Sequence, residues 1–196
     1  MRLDEFDKQF YKEGYSLIAG VDEAGRGPLA GPVYAAAVIL PEDFYVPEIN
    51  DSKKLSEKKR EELFEIITKN ALAYAIKSED QDVIDEINIL NATLRAMKNA
   101  VCSLEITPDL AIVDGNKTKD LPVEARCIIK GDSKSQSIAA ASILAKVSRD
   151  RYVKEHLDAL YPQYLFAKHK GYGTKQHIEL IKEFAPCPEH RKTVLK

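Results

Sequence analysis

The chain has 196 residues, of which 44% are hydrophobic and 31% charged, and a formal net charge of −2. This is the composition of an ordinary globular protein, and the length suits a single domain with its own core. No stretch is apolar enough to span a bilayer, and the acidic start Met1-Arg2-Leu3-Asp4-Glu5-Phe6-Asp7 has no signal-peptide core, so the cytoplasm is the expected location.

In chain order, the apolar run Leu17-Ile18-Ala19-Gly20-Val21 ending on Asp22 reads as a first strand, residues 17–22. A turn rich in glycine and proline follows, then a second strand at 33–40 built on small residues. Ser56 suits the N-cap of a helix that carries Leu63, Phe64, Ile66 and Ile67 at helical spacing. A third strand is expected at 71–77, two helices between 80 and 104 broken near Asn88–Asn91, a fourth strand at 110–114 and a fifth at 126–130. A long helix begins after Gly131-Asp132-Ser133, turns Ile138, Ala141, Leu144 and Ala145 inward, and runs to about Leu160. A loop holding Pro162, Gly171 and Gly173 precedes a last helix from about Thr174 to Phe184. Strands alternating with helices in this way predict a mixed-sheet α/β domain over 1–196, with a small helical part from about 160.

Asp22 and Glu23 are adjacent at the end of an apolar strand and run into Ala24-Gly25-Arg26-Gly27-Pro28. Desolvated carboxylates need a positive partner, and a divalent metal supplies one. Asp114 follows Ala111-Ile112-Val113, and Asp132 lies just past Ile128-Ile129, so both also sit beyond buried strands whose ends converge on one sheet edge. Four such acids would raise one another's pKa unless cations bind between them. All-oxygen ligands favour Mg²⁺ or Mn²⁺, and a cluster of this kind can hold two ions about 3.5–4 Å apart. Cys102, Cys127 and Cys187, odd in number and lacking Cys-x-x-Cys spacing, read as reduced thiols rather than zinc ligands.

Each feature also has a purely structural reading. Asp114-Gly115 is an ordinary turn pair, Asp132 suits a helix cap, and Asp150, between Arg149 and Arg151, reads as a surface ion pair. Strand alternation would send Asp22 and Glu23 to opposite faces, which disfavours a paired-carboxylate glycosidase and demands a twist for a shared metal. Positive clusters at Lys53-Lys54, Lys58-Lys59-Arg60, Lys168-His169-Lys170 and Arg191-Lys192 are compatible with a nucleic-acid footprint or with solvated faces. Nuclease and non-catalytic nucleic-acid binder both remain open at this point, as does a resolvase- or transposase-type phosphoryl transferase.

The segments Ala19-Gly20-Val21-Asp22-Glu23-Ala24-Gly25-Arg26-Gly27-Pro28, Asn50-Asp51-Ser52-Lys53-Lys54-Leu55-Ser56, Val113-Asp114-Gly115, Lys130-Gly131-Asp132-Ser133-Lys134-Ser135 and His169-Lys170-Gly171-Tyr172-Gly173-Thr174, with Pro188-Glu189-His190-Arg191 at the end, occur in an order that resembles ribonuclease HII, the type 2 ribonuclease H family. The resemblance implies a ribonuclease H-like five-stranded mixed sheet flanked by helices. It implies an endoribonuclease for which Asp22, Glu23, Asp114 and Asp132 are the catalytic, metal-binding acids. The substrates it implies are RNA–DNA hybrids and DNA duplexes with an embedded ribonucleotide, cut on the 5′ side to leave 3′-hydroxyl and 5′-phosphate ends. Gly25, Arg26 and Gly27 would read the 2′-hydroxyl, Tyr172 would stack at the RNA–DNA junction, and Lys53, Lys54, Ser133 and Lys134 would contact phosphates. A monomer is expected, since no coiled coil or large apolar face is evident.

Overall fold

A computed structural model describes residues 1–195. Its centre is an antiparallel pair, Ile18–Ala24 (β1) and Val33–Ile39 (β2), in register from Ala19 opposite Ile39 to Ala24 opposite Tyr34. Ala73–Glu79 (β3) joins β2 antiparallel, Leu110–Asp114 (β4) joins β1 parallel, and Ala125–Ile128 (β5) joins β4 parallel. The order β3-β2-β1-β4-β5 is the five-stranded mixed sheet expected from the sequence. β1 does not stop at Asp22, however. Pairing of Glu23 with Ala35 and of Ala24 with Tyr34 carries the strand through both acids. β3 begins and ends two residues later than expected, and β5 ends at Ile128, before Lys130 turns left-handed at φ 54°.

Alternation along each strand sends side chains to two helical layers. On one face Ala19 and Val21 meet Ala111, Val113 and the Ala96, Met97 and Ala100 stripe of Ile89–Cys102 (α4). On the other, Ala36 and Val38 pack on Ala139, Ala140 and Ile143 of Gln136–Tyr152 (α5), with Leu63 and Ile67 of Glu57–Asn70 (α2) behind. Small residues let α5 lie very close. At Gly20 a Cβ would fall 2.2 Å from both the carbonyl carbon and the oxygen of Ser137. The break between Gln81–Ile87 (α3) and α4 is at Asn88, whose φ is 71° and whose side chain accepts from the Asn91 amide at 2.9 Å.

Three elements differ from the sequence expectation. Leu3–Lys12 forms a helix (α1) that the acidic composition concealed. It buries Phe10 and aims Asp7 at the start of α5, where the carboxylate accepts from the Ser137 amide (2.8 Å), the Ser137 hydroxyl (2.7 Å) and the Ser135 hydroxyl. The long helix reaches Leu160, but through a π-type turn at Val153–Leu157 that joins α5 to Asp158–Leu160 (α6). The following loop contains a short helix, Phe166–His169 (α7), ahead of Lys175–Phe184 (α8).

Burial also corrects two electrostatic expectations. Asp150 is not a surface residue. It is buried and holds Lys146 at 3.0 Å and Arg60 at 3.8 Å. Arg191 and His169 belong to no basic face, because both are buried inside the C-terminal part. Among the described residues no helix is long and apolar enough to cross a membrane.

Candidate active site

The parallel β1–β4 ladder pairs Val21 with Val113, so the next residues, Asp22 and Asp114, emerge together beyond its end. Both follow residues that face α4, which puts the two acids on the α5 side of the sheet. Asp132 arrives from a short 3₁₀ turn, Gly131–Ser133, between β5 and α5, and its amide points at Asp114 Oδ1 (3.3 Å). A Cβ at Gly131 would lie 2.5 Å from Ile138 Cδ1, so that side chain would have to shift. One carboxylate oxygen from each of Asp22, Asp114 and Asp132 lies within 4.8 Å of the others.

Glu23 occupies the opposite parity and leaves the trio. Its side chain sits beside α4, 3.7 Å from the Arg26 guanidinium, and its Oε2 is buried with no hydrogen-bond partner among the described residues. It remains close enough to repel the neighbouring Asp22 carboxylate. Asp22, only 4% exposed, has its pKa pushed well up, first by burial and then by the charges of Glu23 and Asp114. Asp132 is raised to about 6 by burial and by Asp114, with Asp51 adding to the crowding. Stacked negative charge, oxygen-only donors and an orphaned buried carboxylate oxygen fit a divalent cation.

A groove runs past Glu23, the neighbour of Asp22. Its lining includes Glu23, Gly25, Arg26, Gly27, Lys53 and Tyr172. Gly25 needs its φ of +95° and its missing Cβ, which would lie 2.3 Å from Arg149 Nε. Gly27 is open, with Tyr172 Cε1 3.7 Å from where a Cβ would be. The expected ribose-reading loop and the junction tyrosine therefore share one cleft, and Tyr172 is 37% exposed rather than packed away. Lys54 lies on the same 3₁₀ turn as Lys53, exposed and outside the lining. Ser133 spends its hydroxyl on Lys130 O at 2.8 Å, and Lys134 is exposed beyond the groove.

Sequence reasoning missed two residues here. Asp51 reaches Asp132, and Lys146 of α5 lines the groove with its Nζ 5.3 Å from the Tyr172 ring centre. Asp51 stood within a motif segment and Lys146 on the expected long helix, but neither terminates a strand, and strand ends were the signal that found the other acids.

A mixed β3-β2-β1-β4-β5 sheet with acids at the ends of its central strands defines the ribonuclease H-like class of nucleases. A family model described as Ribonuclease HII matches residues 19–195. The chain is 58% identical to the ribonuclease HII of Caldanaerobacter subterraneus subsp. tengcongensis, over 100% of this chain and 82% of that one. It is 57% identical to the ribonuclease HII of Caldicellulosiruptor saccharolyticus, over 98% and 93% respectively. The ribonuclease H2 structure from Pyrococcus horikoshii superposes with a TM-score of 0.75 at 28% identity, covering 91% of this chain and 93% of that one. The Archaeoglobus fulgidus ribonuclease HII, solved in complex with PCNA, gives 0.68 at 27% identity, covering 86% and 88%. This chain belongs to the ribonuclease HII family, and it is a divalent-metal-dependent endoribonuclease.

Proposed function

We propose that this protein hydrolyses the RNA strand of RNA–DNA hybrids and cuts DNA duplexes 5′ to an embedded single ribonucleotide, leaving 3′-hydroxyl and 5′-phosphate ends. The observation that carries this reading is the convergence of Asp22, Asp114 and Asp132 within 4.8 Å of one another, with Glu23, the neighbour of Asp22, lining a groove shared by Gly25, Arg26, Gly27 and Tyr172. Asp22, Asp114 and Asp132, with Glu23 at the rim, would hold Mg²⁺ or Mn²⁺, one ion or two. Bound there, the metal supplies an activated water and neutralises charge on the leaving oxygen.

The protein's own groups set the position of the substrate. The 2′-hydroxyl is both donor and acceptor, and the Gly25-Arg26-Gly27 backbone offers both kinds of partner where no side chain blocks the sugar. Tyr172 shares the cleft, half-exposed, and would offer its ring to the sugar that follows the ribonucleotide. Lys53, Lys146 and Arg26 supply positive charge along the groove for phosphates, and Lys54, Ser133 and Lys134 are outlying candidates for the same task. Action as a monomer in the cytoplasm is part of this reading.

The direct test is cleavage of a labelled DNA duplex containing one ribonucleotide, with Mg²⁺ or Mn²⁺, with EDTA, and beside an all-DNA duplex. Metal-dependent cutting immediately 5′ to the ribonucleotide, with the all-DNA duplex intact, is expected. Cutting of long hybrids alone would remove the single-ribonucleotide activity, and no cutting of either would remove the function.

A further inference from the structure

We propose that Arg191 and His190 are positioning residues, a C-terminal template that holds both walls of the ribonucleotide-reading groove; the inference rests on the reading of that groove given above. Arg191 is fully buried, and among the described residues no salt bridge reaches it, Asp85 acting only through its charge. Its guanidinium instead fans over one loop. Nε donates to Gly31 O (3.0 Å), Nη1 to Arg26 O and Pro28 O (both 3.0 Å), and Nη2 to Gly25 O (2.7 Å) and Pro32 O (3.3 Å). The Arg191 amide adds a bond to Leu29 O at 2.8 Å. A planar fork of five donors matches this ring of carbonyls in a way that the single ammonium of lysine does not.

The geometry has a chemical consequence. In a trans peptide the carbonyl of one residue and the amide of the next point in opposite directions. With the Gly25 and Arg26 carbonyls drawn onto Arg191, the Arg26 and Gly27 amides face away from it. Neither amide donates to an acceptor among the described residues. Arg191 thus sets two free donors in the loop that lines the groove. Arg149 reinforces the loop from α5 through Pro32 O, Ala30 O and Lys170 O.

His190 does the same for the other wall. Its Nδ1 accepts from the Cys187 amide (2.9 Å), so its proton is on Nε2 and is donated to His177 Nε2 (2.9 Å). His177 must then carry its proton on Nδ1, which donates to the carbonyl of Tyr172 (2.9 Å). Two neutral imidazoles therefore run from the C-terminal segment to the backbone of the tyrosine. The walls are also tied to each other. The Leu29 amide donates to Gly171 O at 2.8 Å, and a Cβ at Gly171 would lie 2.7 Å from Ala30 O.

The test uses Arg191→Lys and His190→Gln in the full chain, with three readouts. In Arg191→Lys the Mn²⁺ affinity should stay within about twofold, while KM for the single-ribonucleotide duplex rises by about tenfold or more and kcat falls far less. The preference for a ribonucleotide duplex over an all-DNA competitor should shrink in parallel, and His190→Gln should weaken it through Tyr172 alone. Folded Arg191→Lys protein with KM and competitor preference within about twofold of the unsubstituted enzyme would overturn the proposal. Should the variants not fold, hydrogen exchange of the unsubstituted protein in rising urea decides instead. Residues 25–31, 171–173 and 187–191 should open as one unit, and release of 187–191 without loss of protection at 25–31 would overturn the template. That readout needs no activity, so an enzyme that cuts no ribonucleotide would refute the function and leave the template separately judged.

Discussion

Asp22 and Asp114 stand side by side because Val21 and Val113 are partners in the parallel β1–β4 ladder, one residue before each acid. A shift of one residue in that register would turn one of them to the α4 side. The geometry of the acidic trio is therefore written into strand pairing, and Asp132 is added by the turn that starts α5. The same alternation separates Glu23 from the trio, although it is the immediate neighbour of Asp22.

Crowding of carboxylates without a cation is unfavourable, so Asp22→Asn should raise the melting temperature of the metal-free protein. A gain of about 1 kcal/mol corresponds to roughly 2–4 °C in a chain of this size. Addition of Mn²⁺ should raise the melting temperature of the unsubstituted protein and leave that of the variant nearly unmoved. Differential scanning fluorimetry with and without the ion checks both halves, and a variant that melts lower than the parent without metal contradicts the crowding.

The buried histidines make stability fall in acid. His190 is held down to about 4 by burial and then by His177, against about 6.5 in the unfolded chain. Between these values the unfolded state binds more protons, so this contribution is complete above about 6.5 and is lost as pH falls toward 4. It amounts to on the order of 3 kcal/mol. Asp7 opposes it. Burial raises its carboxyl to about 6, so its contribution is greatest at low pH and diminishes as pH rises from about 4 to about 6. Urea midpoints measured from pH 4 to 7 should therefore drop less steeply in His190→Gln and more steeply in Asp7→Asn than in the parent.

Gly20→Ala should be severely destabilising. The new Cβ would meet the Ser137 carbonyl group at 2.2 Å, and backbone atoms cannot rotate aside. A loss of about 3 kcal/mol or more is expected, at the upper end of overpacking effects. The displaced helix start also carries the Asp132 turn, so Mn²⁺ affinity should fall with it. A variant within about 1 kcal/mol of the parent by urea unfolding would show that α5 shifts freely.

Lys53→Ala and Lys146→Ala should weaken duplex binding without changing which bond is cut. Each phosphate contact removed should lessen the slope of log K against log salt by about 0.9. Fluorescence anisotropy across a salt series measures this, and an unchanged slope would place that lysine off the backbone track. Lys54→Ala, outside the groove lining, should have the smaller effect.

Much of the fold and of the acidic cluster was legible in the sequence because an apolar run ending on a carboxylate is a local signal. Asp22, Asp114 and Asp132 each follow such a run. The elements that went unread depend on distant partners. The helix carrying Asp7 looks like an acidic surface segment until Ser135 and Ser137 are seen to receive it. Arg191 beside Lys192 looks like part of a basic face, and only contacts reaching back to Gly25 and Gly31 reveal a buried fork. Asp150 misleads for the same reason, since its partner Arg60 lies on another helix. Glu23 is expected from the sequence beside Asp22 at the site, but its parity on β1 becomes visible only once the strand is known to continue to Ala24.

If the carboxylates gathered at this sheet edge make the protein a ribonuclease, loss of one of them must stop cleavage. The most direct measurement is single-turnover cleavage of the one-ribonucleotide duplex by Asp114→Asn beside the parent, with duplex affinity measured on the same samples. A rate lower by about 10³-fold or more, at equal or tighter affinity, is predicted. A variant that binds normally and cuts within about tenfold of the parent would contradict the assignment of this site.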